Sequence, residues 1–265
     1  MNEIDKNNII KKYEQGKSIL AISKEFPKYS YYTIHKNIKD SGVEIRDNGA
    51  YATKYTYNEN CFSEQTEESA YWLGFLLADG SYNKELNQVK LDLGIVDIEH
   101  LKKLQKFLGT NKPINIYTNN YNKKYCRLVI ANKKICGDLV KLGLVERKTA
   151  IVEYPKLDSK MNKHFIRGYI DADGSIKKNC EKDGLIIYKL FIIGTDNILE
   201  NILKNIPVNS NFSANPKKRK ASNPNKGVEI GGKKQLKNVI TYIYENSSVF
   251  LSRKMERASY IMKNY

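Results

Sequence analysis

Two carboxylates stand where this sequence can do chemistry. Asp79 closes the stretch Trp72-Leu73-Gly74-Phe75-Leu76-Leu77-Ala78-Asp79-Gly80, and Asp173 closes Ile166-Arg167-Gly168-Tyr169-Ile170-Asp171-Ala172-Asp173-Gly174. The copies lie 94 residues apart. Each is an apolar run with a glycine near its start, and each ends Ala-Asp-Gly. A helix that meets its twin closely needs small residues at the contact, which Gly74, Gly168, Ala78 and Ala172 supply. Such a pairing sets two helix C-termini side by side, with Asp79 and Asp173 projecting from them. Those ends already carry partial negative charge and unpaired carbonyls. Two carboxylates added there repel unless cations sit between them, and hard divalent ions with oxygen ligands, chiefly Mg2+, fit that environment. Such ions polarise phosphoryl oxygens and lower the pKa of bound water.

The elements that would hold this pair repeat. From Glu68 to Ala78 the pattern leaves little polar face, so it reads as a buried helix stopped by Asp79-Gly80. Val89 to Val96 alternates as a strand, with Tyr82 to Gln88 supplying a strand edge and turn. Asp97 is placed to cap a helix carrying Ile98, Leu101, Leu104 and Leu108. Ile114 to Thr118 and Tyr125 to Ala131 read as a hairpin, and Lys133 to Leu142 as a closing helix. The same order follows the second stretch: helix Phe165 to Ala172, strands near Ser175 to Lys177 and Leu185 to Ile193, and Asp196 capping Ile198 to Ile206. A hairpin then has Lys217-Lys218-Arg219-Lys220 near its turn, and Lys233 to Tyr244 is the last helix of the order. An internal repeat of about 95–105 residues organises the chain.

Charge agrees with a polyanionic partner. The net charge is +16, but residues 1–68 carry 10 Lys/Arg against 11 Asp/Glu, whereas residues 69–265 carry 35 against 18. The basic surface belongs to the repeated region. Compositional bias toward Lys, Asn, Ile and Tyr accounts for part of the lysine excess and not for its partition. The four cysteines form no C-x-x-C pair, so reduced thiols are expected rather than zinc ligands. With no apolar run near 18 residues and no leader pattern, the expectation is an intracellular protein, cytoplasmic or in an organellar matrix or nucleoid, neither secreted nor membrane-bound. His35, His100 and His164 have no partner pattern and are expected at the surface. Arg167, inside a buried helix, must reach solvent or pair with an acid.

The first 47 residues read as three short helices: Ile4 to Gln15, Ile19 to Phe26 behind a Ser18 cap, and a third behind Ser30 reaching Asp40. A tight break precedes the third. The stretch Gly16-x-Ser18-Ile19-x-x-Ile22, then Thr33-Ile34, then Gly42-Val43-x-Ile45-Arg46 resembles the helix-turn-helix of resolvase-like and phage DNA-binding proteins. The resemblance implies that the third helix reads DNA through Tyr31, Tyr32, His35, Lys36 and Lys39. Any small three-helix domain shares the outline, and this one is near neutral.

Two Ala-Asp-Gly stretches, each opening one helix–strand–strand order, resemble the LAGLIDADG signature of homing endonucleases in the single-chain, two-motif form. The resemblance covers about residues 65–265. It implies an α+β fold of tandem pseudo-twofold αββαββα repeats, here preceded by a small all-α domain. The expected organisation is a helix-turn-helix-like domain over 1–47, a linker over 48–67, a first half over 68–150, a linker over 151–161 and a second half over 162–265. The implied activity is a staggered double-strand break in a specific DNA site, by hydrolysis with Mg2+ or Mn2+ and by a monomer. Asp79 and Asp173 become metal ligands, assisted by the Ala78 and Ala172 carbonyls. Lys148 and Lys254, at matching places, resemble the basic residues of the family's pocket; phosphate contact or plain surface charge is the other reading. Strands in the major groove would read bases through Lys90, Asp92, Asn119, Asn122, Lys189, Lys218 and Lys220.

The sixth motif position departs from the pattern in one copy, being Leu77 in the first and Asp171 in the second; an acid there would bond to backbone near the helix ends. A maturase or DNA-binding regulator of the same fold, with intron RNA as a second partner, is the alternative. Both terminal aspartates favour cleavage. The chain's ends, without a leading Cys or Ser and with Lys263-Asn264-Tyr265 last, fit an intein-embedded enzyme less well.

Overall fold

The computed structural model describes residues 2–45, 55–180, 186–208, 217–218 and 226–265. The chain divides into two compact units, Met1–Lys54 and Tyr55–Tyr265. The first holds α1 (Glu3–Glu14), α2 (Ile19–Glu25) and α3 (Tyr31–Asp40). Side-chain oxygens of Asn2, Ser18 and Ser30 cap the three helices. Ile9, Tyr13, Ile19, Ile22, Ile34 and Ile38 form their common core.

The second unit is built twice over. Its first half runs α4 (Glu67–Asp79), β1 (Ser81–Asn83), β2 (Gln88–Gly94), α5 (Ile98–Phe107), β3 (Asn115–Thr118), β4 (Lys124–Ile130) and α6 (Lys133–Lys141). The second half runs α7 (Asn162–Asp173), β5 (Ser175–Cys180), β6 (Ile186–Gly194), α8 (Asp196–Lys204), β7 (Lys217–Lys218), β8 (Lys226–Ile230), α9 (Lys233–Tyr244) and α10 (Ser252–Asn264). Each half folds one four-stranded antiparallel sheet, ordered β1-β2-β4-β3 and β5-β6-β8-β7. Burial alternates along β2, β4 and β6, as one-sided packing requires. Val89, Leu91, Leu128 and Ile130 face inward in one sheet, Leu190, Ile192, Val228 and Ile230 in the other.

The two sheets share one core, joined by α4 and α7. These helices touch at their glycines. A Cβ on Gly74 would lie 2.1 Å from the Phe165 carbonyl oxygen, and one on Gly168 1.9 Å from that of Tyr71, so no larger residue permits this approach.

Several local expectations change. Residues 55–66, placed in a linker, pack on the body through buried Cys61 and Phe62. Thr195, not Asp196, caps α8, its hydroxyl accepting from the Ile198 amide. Asp97 offers α5 no side-chain cap; its carboxylate pairs with Arg253 at 3.1 Å. β2 ends at Gly94, where a turn of 3-10 helix leads into α5. Among the described residues no helix is long and apolar enough to cross a membrane.

Candidate active site

The glycine contact brings α4 and α7 to a shared end, and Asp79 and Asp173 are the last residues of the two helices. Asp79 is exposed, and Asp173 is half-buried. The protein massed behind Asp79, together with the charge of Asp173, pushes its pKa up to about 6, against the pull of Lys148, Lys254 and Arg253.

Lys148 and Lys254 both reach this end. Lys148, in a 3-10 turn after left-handed Arg147, donates to the carbonyls of Leu76 at 2.9 Å and Ala78 at 2.5 Å. Lys254, in the first turn of α10, donates to the carbonyls of Ile170, Asp171 and Gly174 at 2.6, 2.6 and 2.7 Å. Each ammonium thus sits on the negative end of a helix that carries no basic residue in its last turn. Burial lowers both lysine pKa values to about 8, opposed by the nearby aspartates. The Ala78 carbonyl, expected to face a metal, is engaged by Lys148.

No group of three or more His, Cys, Asp or Glu suited to a metal gathers among the described residues. The donor set nonetheless fits a hard divalent cation. Asp79 and Asp173 are all-oxygen donors whose mutual repulsion is already felt, and Mg2+ takes one or two carboxylates and fills its remaining positions with water and phosphate oxygens.

Asp171 is fully buried. It accepts from the hydroxyls of Tyr71 (2.7 Å) and Tyr244 (2.6 Å) and from the Leu251 amide (2.7 Å), the N-cap of the helix that bears Lys254. Burial raises its pKa, while Lys254 and the three donors oppose that rise. Arg167 pairs with an acid: it donates to Glu67 at 2.7 Å, to the Val249 and Ile243 carbonyls and to His164 Nδ1. His100 and His164, expected at the surface, are both buried. Nothing in the sequence marked Glu67, Tyr71 or Tyr244 as their partners, because the contacts span from 29 to 100 positions.

The expected base readers are placed unevenly. Lys90, Asp92 and Lys189 lie on the outward faces of the sheets. Asp92 is bonded to Arg127 and Tyr117, and Lys189 to Glu229 at 2.9 Å. Asn119 uses its side-chain oxygen to hold its own turn through the amides of Tyr121 and Lys123, and Asn122 sits left-handed in that turn. Lys220 and the Lys218 side chain lie outside the described parts of the structure. On α3, Tyr31, Tyr32, Lys36 and Lys39 are exposed, and half-exposed His35 stacks on Tyr31.

The twinned αββαββα halves of this chain have the fold of the LAGLIDADG homing endonucleases. The chain is similar in fold to the meganuclease I-SmaMI bound to uncleaveable DNA with a TTCT central four (TM-score 0.50, 13% identity, 75% of this chain and 90% of that one). It is also similar to the LAGLIDADG homing endonuclease I-GzeII in complex with its DNA target (TM-score 0.53, 12% identity, 76% and 89%). No protein-family model matches the chain. In sequence it is 29% identical over 145 residues to the replication factor C small subunit of Methanocaldococcus jannaschii, a match over 53% of this chain that spans only 8% of that protein's length.

Proposed function

We propose that the chain is a site-specific DNA endonuclease of the homing type, cutting both strands of a duplex to leave a staggered break. The observation that carries this is the pair of aspartates ending α4 and α7, held close enough that Asp173 raises the pKa of Asp79. Asp79 and Asp173 would hold Mg2+ or Mn2+, which when bound polarises the scissile phosphate and acidifies water. Lys148 and Lys254 set positive charge beside the aspartates, where it would stabilise charge on the scissile phosphate; the three N–H groups of Lys254 are already donated to backbone carbonyls, so its part is electrostatic. One carboxylate from each half gives each strand of the duplex its own attacking side, and both halves lie in one chain, so a monomer suffices.

The outward faces of the two sheets are the surfaces for the major groove. The N-terminal three-helix unit would extend the contact through Tyr31, Tyr32, His35, Lys36 and Lys39 of α3, as a helix-turn-helix does. The test is a plasmid carrying the two sequences that flank this gene, joined without it. Linearisation with Mg2+ and none in EDTA is expected. DNA bound tightly at one site and left uncut with either metal would instead make the protein a binder, such as a regulator or maturase.

A further inference from the structure

At the centre of the first sheet's outward face, one arginine is held by an aspartate and a tyrosine. Arg127 on β4 stands in register between Asp92 on β2 and Asn115 on β3. Its Nε donates to Asp92 Oδ1 at 2.6 Å. Its guanidinium carbon lies 4.8 Å from the centre of the Tyr117 ring, and the Tyr117 hydroxyl donates to the same Asp92 oxygen at 2.6 Å. Tyr117 is itself backed by Tyr125, with ring centroids 5.8 Å apart and planes 22° from parallel. The far edge of the guanidinium is left open. Among the described residues Nη1 meets no partner, and Nη2 meets only the Tyr117 hydroxyl at 3.4 Å. About a third of the side chain is exposed.

This is a poor arrangement for gripping a phosphate. Asp92 cancels the charge of Arg127, and an approaching phosphate would meet the carboxylate as well. A rigid fork of N–H donors with its charge balanced suits a neutral edge carrying two adjacent acceptors. In the major groove that edge is guanine, with O6 and N7 side by side. Resting on the reading of the chain as a DNA endonuclease, we propose that Arg127 reads a guanine in the half-site under the first sheet. Asp92 and Tyr117 are positioning residues that hold its guanidinium for that contact. Asp92, expected from sequence to touch a base itself, acts through Arg127.

The test selects binding sites from a randomised duplex library with the full chain, in EDTA so that DNA stays uncut. The wild type is expected to enrich one site. Arg127→Ala should lose about 5- to 100-fold of discrimination at one guanine in that site and leave the other positions unchanged. Arg127→Lys, which keeps the charge and loses the fork, should lose most of the same preference. Asp92→Asn and Tyr117→Phe should each weaken it in part, at that position only, a localisation that general loosening of the sheet would not produce. Melting temperatures close to wild type establish that the variants fold.

The proposal is overturned if Arg127→Ala enriches an unchanged site. It is equally overturned if the preference lost is for another base, or if affinity falls alike for all sequences with a shallower salt dependence, as for a phosphate contact. A wild-type chain that enriches no site at all sinks the endonuclease reading, and this inference with it. A site that is enriched but indifferent to Arg127 sinks this inference alone.

Discussion

Leu77 and Asp171 occupy the same place in the paired helices, as do Leu73 and Arg167, and the halves are built differently around them. In the first half Leu77 is buried apolar, and Lys148 arrives on a short 3-10 turn. In the second half Asp171 gathers two tyrosine hydroxyls and the Leu251 amide, so it pins the start of α10, from which Lys254 reaches back to the end of α7. The two lysines reach equivalent helix ends by different routes. At the shared helix ends the halves agree, with Asp79 matching Asp173 and Lys148 matching Lys254. In the scaffold behind these ends they have diverged. On the proposed function, one strand of a duplex would meet a helix end backed by apolar packing, and the other a helix end backed by a buried polar network.

The largest effects are expected where the halves agree. Asp79→Asn and Asp173→Asn should each reduce double-strand cleavage by on the order of 10³-fold while DNA affinity changes only a few-fold. Gel assays that separate nicked from linear plasmid sharpen the comparison. Equal loss from the two variants means that the aspartates act as one centre. Fast nicking of one strand by either variant would show that the halves work independently.

The scaffold is tested by exchanging its odd residues. Asp171→Leu leaves two buried hydroxyls and a helix-cap amide without an acceptor and should cost about 3 kcal/mol or more in urea denaturation. Leu77→Asp places a carboxylate in an apolar site with no partners arranged for it and should cost at least as much. If either exchange is neutral, the divergence of the halves is incidental rather than built in. Cleavage by Asp171→Leu should fall further than stability alone explains, because Lys254 loses the anchor of its helix.

Which of these features was legible beforehand follows from distance along the chain. The paired aspartates, their glycines and the repeat were local patterns, and a motif that occurs twice states its own symmetry. The strands showed as alternation. The partners of Asp171 and Arg167 did not show, since Tyr71, Tyr244, Glu67 and Ser248 join them only once α4, α7 and the segment after α9 are packed together. The sequence does not mark Arg127, because its meaning lies in register: until β2, β3 and β4 are aligned, nothing relates it to Asp92 and Tyr117. The burial of His100 is hidden for a similar reason, since its partner Tyr71 lies 29 positions away.

His100 and His164 give the halves a shared weakness to acid. The Tyr71 hydroxyl donates to Asp171, so at 3.0 Å it accepts from His100 Nε2, leaving His100 Nδ1 buried with no partner among the described residues. His164 Nδ1 accepts from Arg167 and cannot take a proton without losing that bond. Burial depresses the first to about 3 and the second to about 4. Both folded values lie below the ordinary 6.5, so the unfolded chain binds these protons more readily. Stability is therefore full above about pH 6.5 and falls as pH drops toward the folded values, by about 2 kcal/mol per histidine at pH 5. His100→Gln and His164→Gln should each flatten the fall in stability between pH 7 and 5. An unchanged slope in only one of them would assign the acid sensitivity to one half.

The smallest expected difference separates the two outward faces. Lys90 has no ion-pair partner among the described residues, whereas Lys189 is bonded to Glu229. A lysine that neutralises one phosphate adds about 0.9 to the slope of log affinity against log salt, and with some ten contacts the whole slope would be near 9. Lys90→Ala should lower the slope by about 1. Lys189→Ala should lower it by less, because Glu229 already offsets its charge and stays behind when the lysine is removed. Glu229→Gln then decides between the accounts: freed of its partner, Lys189 should count in full, and the slope should steepen. If Lys189→Ala costs as much as Lys90→Ala in the wild-type background, the ion pair opens on binding, and the two sheets meet the DNA backbone on equal terms.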